Sequence, residues 1–313
     1  MLKVTCLGET MALFIPTDDS PVGVADAAIG YTVQIGGAES NVACALTRLG
    51  VPARWISRVG DDRFGRLVLD TLTAQGVDVS EVETDPVRPT GLYVKEFTGA
   101  GTRVRYYRTG SAACAMSPAL AVRPSIRDTR WLHLSGITAA LSDECAALLE
   151  AIVRTPVPGR TVSFDVNWRP ALWRGRDPGA LLDLARRADL VFVGNDEAKA
   201  LWGMDDPAEI RRLIPGPRTL VVKLGADGAV AFEGGETVRV HALPVTVVEP
   251  TGAGDAFAAG YLAAAVRQLP LRARLSLGAR TARSALQVPG DFAPAADRRT
   301  GLPDQRTGLA MSQ

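Results

Sequence analysis

The sequence predicts an α/β protein: a doubly wound, mainly parallel sheet flanked by helices, with a small β-sheet lid. Three observations carry this expectation. Short apolar runs alternate with segments of helical period. Several of those runs are apolar at consecutive positions, as in Leu190-Val191-Phe192-Val193. That is the pattern of a strand covered on both faces, and such strands belong to parallel sheets. Two stretches, 8–35 and 90–108, break the rhythm because they lack helical period. The length of 313 residues allows one large α/β domain or two modest ones. The domain is expected over 1–313, with lid excursions at roughly 9–35 and 88–110 and a frayed tail at 301–313.

Taken in order, strands are expected at 4–7, 55–59, 131–134, 162–165, 190–193, 220–224 and 230–232. A helix over 38–49 has Val42, Ala45, Leu46 and Leu49 as its apolar positions, with Gly50 behind it as a stop. A second helix over 64–75 ends before Gly76, and Ser142 is placed to cap a third that runs to 153. Within 90–108, two alternating β-rich runs flank Thr98-Gly99-Ala100-Gly101, the form of a β-hairpin. Val104, Tyr106 and Arg108 share one of its faces, because side chains alternate along a strand. Tyrosine and arginine on one lid face suit an anionic, hydroxylated ligand; an exposed hairpin with solvated arginines has the same pattern.

Composition excludes several classes. The chain is 47% hydrophobic and 22% charged, with a net charge of +1, ordinary values for a globular protein. Its 31 Gly and 20 Pro are dispersed, which excludes collagen and low-complexity sequence. Lys occurs only at Lys3, Lys95, Lys199 and Lys223, so arginine supplies most of the basic charge. The arginines are scattered and balanced by 34 acidic residues, so no basic face for nucleic acid is expected. The apolar stretch 256–266 is far short of the ~20 residues of a membrane span, and no secretory signal opens the chain. Cys6, Cys44, Cys114 and Cys145 form no CxxC pair and read as small apolar residues of a reducing cytoplasm.

Three motifs carry chemistry. In Glu249 to Val266, an apolar β-like run at 245–248 enters the turn Thr251-Gly252-Ala253-Gly254, and Asp255 opens a helix. Converging backbone N–H groups and a helix N-terminus make an anion hole suited to a phosphoryl oxygen. A carboxylate beside it is placed to accept a proton from an attacking hydroxyl. A plain tight turn with an acidic first-turn residue would look the same. No Walker A sequence occurs and no third glycine completes a dinucleotide fingerprint. The second motif is Gly225-Ala226-Asp227-Gly228, a loop between two apolar runs with Lys223 at its edge; an ordinary β-turn is the alternative. The third is Gly36-Gly37 at a helix start, where Ala38, Glu39, Ser40 and Asn41 present backbone and polar groups. Ser40 as a simple N-cap is the alternative there.

Together these segments resemble the PfkB, or ribokinase-like, family of sugar kinases across nearly the whole chain, from Gly8-Glu9 to Gly290-Asp291. Both family signatures occur in order: Gly36-Gly37, Asn41, Ala43 and Leu49-Gly50, then Gly252 to Phe257. Within the family the chain is most similar to 2-keto-3-deoxygluconate kinases. The residues that carry this are Gly36 to Glu39, Thr90-Gly91-Leu92-Tyr93, Tyr106-Tyr107-Arg108, His133 to Ile137 and Asp165-Val166-Asn167-Trp168-Arg169. The resemblance implies a ribokinase-like fold with Asp255 as catalytic base and Gly252, Ala253 and Gly254 as anion hole. It implies that Gly36, Gly37, Ala38, Glu39, Ser40, Asn41, Tyr93, Tyr106, Tyr107, Arg108, Arg169 and Asp291 hold the sugar acid. Asn167, Arg169, Asn195, Lys223, Gly225, Ala226, Asp227, Gly228 and Gly254 would face ATP, and Glu197 would help place Mg²⁺ through water. A homo-oligomer formed through the lid is the family's habit.

The chain departs from the pattern at three points. Glu249-Pro250 replaces the Asp-Thr pair whose Asp helps relatives bind a monovalent cation, so the resemblance does not carry a potassium site over. Gly194 stands at the Asn position of Asn-x-x-Glu, with Asn195 one residue later. The Asn of the penultimate helix has no counterpart near Leu275. The expected reaction is phosphorylation of the 6-hydroxyl of 2-dehydro-3-deoxy-D-gluconate by ATP. Its rivals are another sugar kinase, chiefly a fructokinase, and a catalytically silent sugar-acid sensor.

Overall fold

The computed structural model describes residues 4–17, 30–98 and 101–287. Asp291, the tail at 301–313, part of the first lid excursion and the hairpin residues Gly99-Ala100 lie outside them. The strands among the described residues are β1 (Val4–Leu7), β2 (Met11–Pro16), β3 (Tyr31–Gly36), β4 (Ala53–Ile56), β5 (Arg58–Gly60), β6 (Glu83–Asp85), β7 (Leu92–Thr98), β8 (Gly101–Tyr107), β9 (Trp131–Ser135), β10 (Thr161–Asp165), β11 (Leu190–Gly194), β12 (Thr219–Lys223), β13 (Ala229–Glu233) and β14 (Glu236–Val240).

Eight of them form one sheet in the order β14-β13-β12-β11-β10-β9-β1-β4. Pairing is parallel from β12 to β4 and antiparallel at the β13 and β14 end. The consecutive apolar residues of β11 explain themselves here. Leu190 and Phe192 enter one buried core, with Trp55, Phe257 and Leu262. Val191 and Val193 enter a second, with Leu132, Phe164 and Val222. A strand between two cores has no wet face, so both of its side-chain rows must be apolar.

One expected strand and one β-like run come out differently. The run 55–59 divides: β4 ends at Ile56 on the sheet edge, and β5 pairs instead with β6, held by Arg58 to Asp85 and Glu83. The run 245–248 is no strand. Val247 and Val248 are exposed, and the Val248 N–H donates to the Leu286 carbonyl at 2.8 Å. The segment carries the chain from β14, the last strand of the sheet, to the next helix, so no ladder partner is at hand. Ser142 caps its helix as expected, its Oγ accepting from the Cys145 N–H at 3.0 Å.

A second sheet, β3-β2-β7-β8, pairs the two excursions, with β2 and β7 parallel at its centre. Its core is small: Met11, Leu13 and Tyr93, with Ile15 and Val104 packed against them. No helix among the described residues is long and apolar enough to cross a membrane. Burial pushes the Cys44 and Cys145 thiols up to about 12, so both behave as apolar side chains.

Candidate active site

The C-terminal ends of the parallel strands form the rim on which the site is built. Ser135, Asp165, Gly194 and Lys223 end β9, β10, β11 and β12. In open α/β sheets this edge is where ligands bind. The helix Ala253–Val266 begins over the same edge, its N-cap Gly252 in the left-handed region at φ 79°. That conformation favours glycine. The helix is buried nearly all round, from Asp255 to Ala265, because it lies between the sheet and the helices Ala38–Arg48 and Leu271–Ala285. Gly260 makes this possible, since a Cβ there would meet Thr281 Oγ1 at 2.4 Å and the Leu277 carbonyl at 2.6 Å.

Asp255 sits in the first turn of that helix and is 9% exposed. Asn41 Nδ2, from the Ala38–Arg48 helix, donates to its Oδ2 at 2.8 Å. Asn167 Nδ2 lies 3.5 Å from its Oδ1. Burial pushes the carboxyl up to about 7; the Asn41 hydrogen bond opposes this, Asp165 adds to it, and Arg169 and Lys223 oppose it. A carboxylate of that basicity is matched to proton transfer near neutral pH. Asn167 itself holds φ 40°, a left-handed conformation uncommon outside glycine, and is only 4% exposed.

Beside Asp255 runs a charge chain. Lys223 Nζ donates to both oxygens of Asp165 at 3.0 Å. Burial works against the Lys223 charge, but Asp165 and Glu197 outweigh it and raise its pKa, so it stays an ammonium. A Cβ on Gly254 would lie 3.4 Å from Lys223 Nζ, which sets the cation against the glycine turn. Glu197 accepts from the Trp168 N–H at 3.0 Å and the Gly194 N–H at 2.7 Å, and burial raises its pKa while Lys223 opposes. Gly194 itself holds ordinary extended backbone at φ −77°, and the atom closest to a Cβ there would be the movable tip of exposed Asp196.

The glycine pair lies where the lid sheet meets the next helix. Gly36 ends β3, and Gly37 is the N-cap of the Ala38–Arg48 helix. A Cβ on Gly37 would strike the Glu9 carbonyl oxygen at 2.3 Å. Ser40 is not the cap; its Oγ donates to the Gly37 carbonyl at 3.0 Å. Tyr93 and Tyr106 stack across β7 and β8 with centroids 5.5 Å apart, and the Arg108 guanidinium stands 5.8 Å from the Tyr106 centroid. Tyr107 faces the other way and is 60% exposed.

The structure thus links Asn41, Asp255, Asn167, Asp165 and Lys223 by hydrogen bonds, with Gly254 and Glu197 close to Lys223 and Arg169 exposed. The turn Gly225–Asp227 follows β12 directly, and nothing within 4 Å would meet a Cβ on Gly225. Asn195 opens the helix that carries Glu197. Ala38 lies in the first turn after Gly37. Two residues come with partners of their own. Glu39 is fully buried, its Oε1 accepting from Ser135 Oγ and Thr138 Oγ1 at 2.7 Å. Arg108 is buried and ion-paired with Glu9, which also accepts from Ser111 Oγ.

The family model for pfkB family carbohydrate kinases matches residues 1–298. The chain belongs to this family. The kinase is 34% identical to the 2-dehydro-3-deoxygluconokinase of Thermoproteus tenax, over 93% of this chain and 90% of the relative. It is 38% identical to a fructokinase of Klebsiella pneumoniae over 83% of each chain. The solved PfkB protein of Polaromonas sp. JS666 superimposes with a TM-score of 0.83 at 34% identity, over 92% of the kinase and 96% of that chain. Glu9, Asp165 and Lys95 carry no sequence signal as partners in this region. Each stands inside or next to a motif that was read, but the bonds they make cross from 58 to 154 residues of sequence.

Proposed function

We propose that the kinase transfers the γ-phosphoryl group of ATP to the 6-hydroxyl of 2-dehydro-3-deoxy-D-gluconate. The single observation that carries the chemistry is Asp255: a buried carboxylate pushed up to about 7, in the first turn of a helix that opens on a glycine turn. The full-length likeness to a 2-dehydro-3-deoxygluconokinase supports the sugar acid as substrate.

In this reading Asp255 takes the proton of the attacking hydroxyl, with Asn41 orienting the carboxylate. The backbone of Gly252, Ala253 and Gly254 and the Lys223 ammonium stabilise the charge that develops on the transferred group. The transition state is loose, so positioning and charge stabilisation do most of the catalysis. The exposed Gly225–Gly228 turn, Asn167, Asn195 and Arg169 face the nucleotide. Tyr93, Tyr106 and Arg108 lie along the sugar, over Gly36, Gly37 and the start of the helix that follows. The Glu9 pair fixes the Arg108 guanidinium in place without consuming all of its donors, which suits a bound carboxylate. Closure of the lid sheet excludes water.

Among the described residues no three His, Cys, Asp or Glu side chains converge on a metal position. The acceptors at hand, Glu197 and Asp165, suit an ion that keeps its water shell and arrives on phosphates, as Mg²⁺ does. Bound there, Mg²⁺ would neutralise phosphate charge. The exposed Tyr31, Val33 and Tyr107 on the lid's edge strands support a homo-oligomer assembled through the lid.

A fructokinase is the second reading, favoured by the 38% identity to the Klebsiella enzyme. Purified protein with Mg-ATP, assayed against 2-dehydro-3-deoxygluconate, its galactonate epimer, gluconate and fructose, tests both. The sugar acid should give the highest kcat/KM. Preference for fructose would install the second reading, and no turnover with any sugar would sink the kinase chemistry.

A further inference from the structure

One ion pair joins the lid to the anion-hole turn. Lys95 lies on lid strand β7, two residues after Tyr93, so both side chains project from the same face. Both are buried. Tyr93 stacks on Tyr106, whereas Lys95 Nζ reaches Glu249 Oε2 at 2.9 Å. The other Glu249 oxygen accepts from the Thr251 N–H at 3.1 Å and from Thr251 Oγ1 at 2.6 Å. Thr251 leads directly into Gly252. One carboxylate therefore holds the entrance of the turn with one oxygen and a lid cation with the other.

We propose that Lys95 is a positioning residue for phosphoryl transfer: the lid reaches the anion hole through its ammonium on Glu249. This rests on the kinase reading of the site and adds a residue to it. The physical case has two parts. A buried ammonium needs a carboxylate partner, so the lid strand's inward face is fixed in register with residues 249–251. In turn, Glu249 needs the cation. Left alone, its charge would stand beside a turn that must stabilise a phosphoryl anion, and like charge there raises the barrier. Lys95 cancels that charge from within the chain.

The test compares wild type, Lys95→Arg and Lys95→Ala in sodium-free and potassium-free buffer. Lys95→Ala is expected to lose ~10- to 100-fold in kcat, the size of one charge-assisted hydrogen bond, with little change in the sugar KM. Lys95→Arg should keep most of the turnover. Added ammonium, methylammonium or potassium should restore Lys95→Ala saturably and leave wild type unmoved. A purely structural lysine would not respond to small cations. Hydrogen exchange of the peptide 250–255 gives a reading independent of turnover and should rise in Lys95→Ala. Wild-type exchange and wild-type kcat in Lys95→Ala, or a loss that no cation restores, overturns the proposal. An inactive wild type strikes at the kinase reading instead, and the exchange measurement then decides Lys95 alone.

Discussion

The two sheets hold their parts of the site by different means. Asp255 rides on a helix whose middle is wholly enclosed: Ala258, Ala259, Leu262, Ala263 and Ala264 are all 0% exposed. The lid has three buried apolar side chains at its centre and edge strands carrying exposed Tyr31 and Tyr107. Beside the Phe14–Phe64 ring contact and Ile35, which enters the main core, the ties are ionic, in Arg108 to Glu9 and Lys95 to Glu249. Hydrophobic burial is non-directional and holds the base rigidly. Ion pairs have defined partners and give way when a partner moves. On the proposed function, the proton acceptor sits on the enclosed part and the sugar contacts sit on the ion-paired lid.

Substitutions break or sharpen this contrast, starting with the largest effect. Asp255→Asn should lower kcat by ~10² or more while sugar binding by calorimetry persists, since it removes the base and keeps the shape. Arg108→Ala strands the Glu9 carboxylate, so urea melts should show a loss of ~3–5 kcal/mol along with a raised KM for acid sugars. Leu262→Ala should cost ~2–5 kcal/mol of global stability and leave the sugar KM unchanged. Leu13→Ala, in the small lid core, should raise the KM more than it lowers the melting midpoint. If both leucine variants move the same quantity, the contrast between the sheets is wrong.

The smallest effect is a slope. Burial pushes the His133 imidazole down to about 3, and the Lys223 charge adds to this. Between pH 6.5 and 3 the unfolded chain binds a proton that the folded chain does not. Stability therefore falls as pH drops through that window. Melts of wild type and His133→Asn at pH 7 and pH 4.5 should differ less at the lower pH.

Much of the frame was legible in the sequence because it is local. Both-face apolar runs such as 190–193 marked the strands, Ser142 marked a cap, and Thr98 to Gly101 marked a hairpin. The glycine turn before Asp255 and the helix it opens were legible for the same reason. What stayed hidden is long-range. Asn41 and Asp255 are 214 residues apart, and Lys95 and Glu249 are 154; no periodicity links such pairs. The run 245–248 misled because apolar residues imply a strand only where a neighbouring strand is there to receive them. Glu249 read as a departure from the family pattern, and only the fold supplied the lysine that balances it.

The account stands or falls on Asp255 titrating as the base. The direct measurement is the pH dependence of kcat/KM for the sugar from pH 5 to 9, in wild type and in Asn41→Ala. Wild type should lose activity tenfold per unit below about pH 7. Asn41→Ala should move that limb upward, because it removes the hydrogen bond that favours the carboxylate. A flat profile across neutrality, or a limb that ignores Asn41, would contradict it.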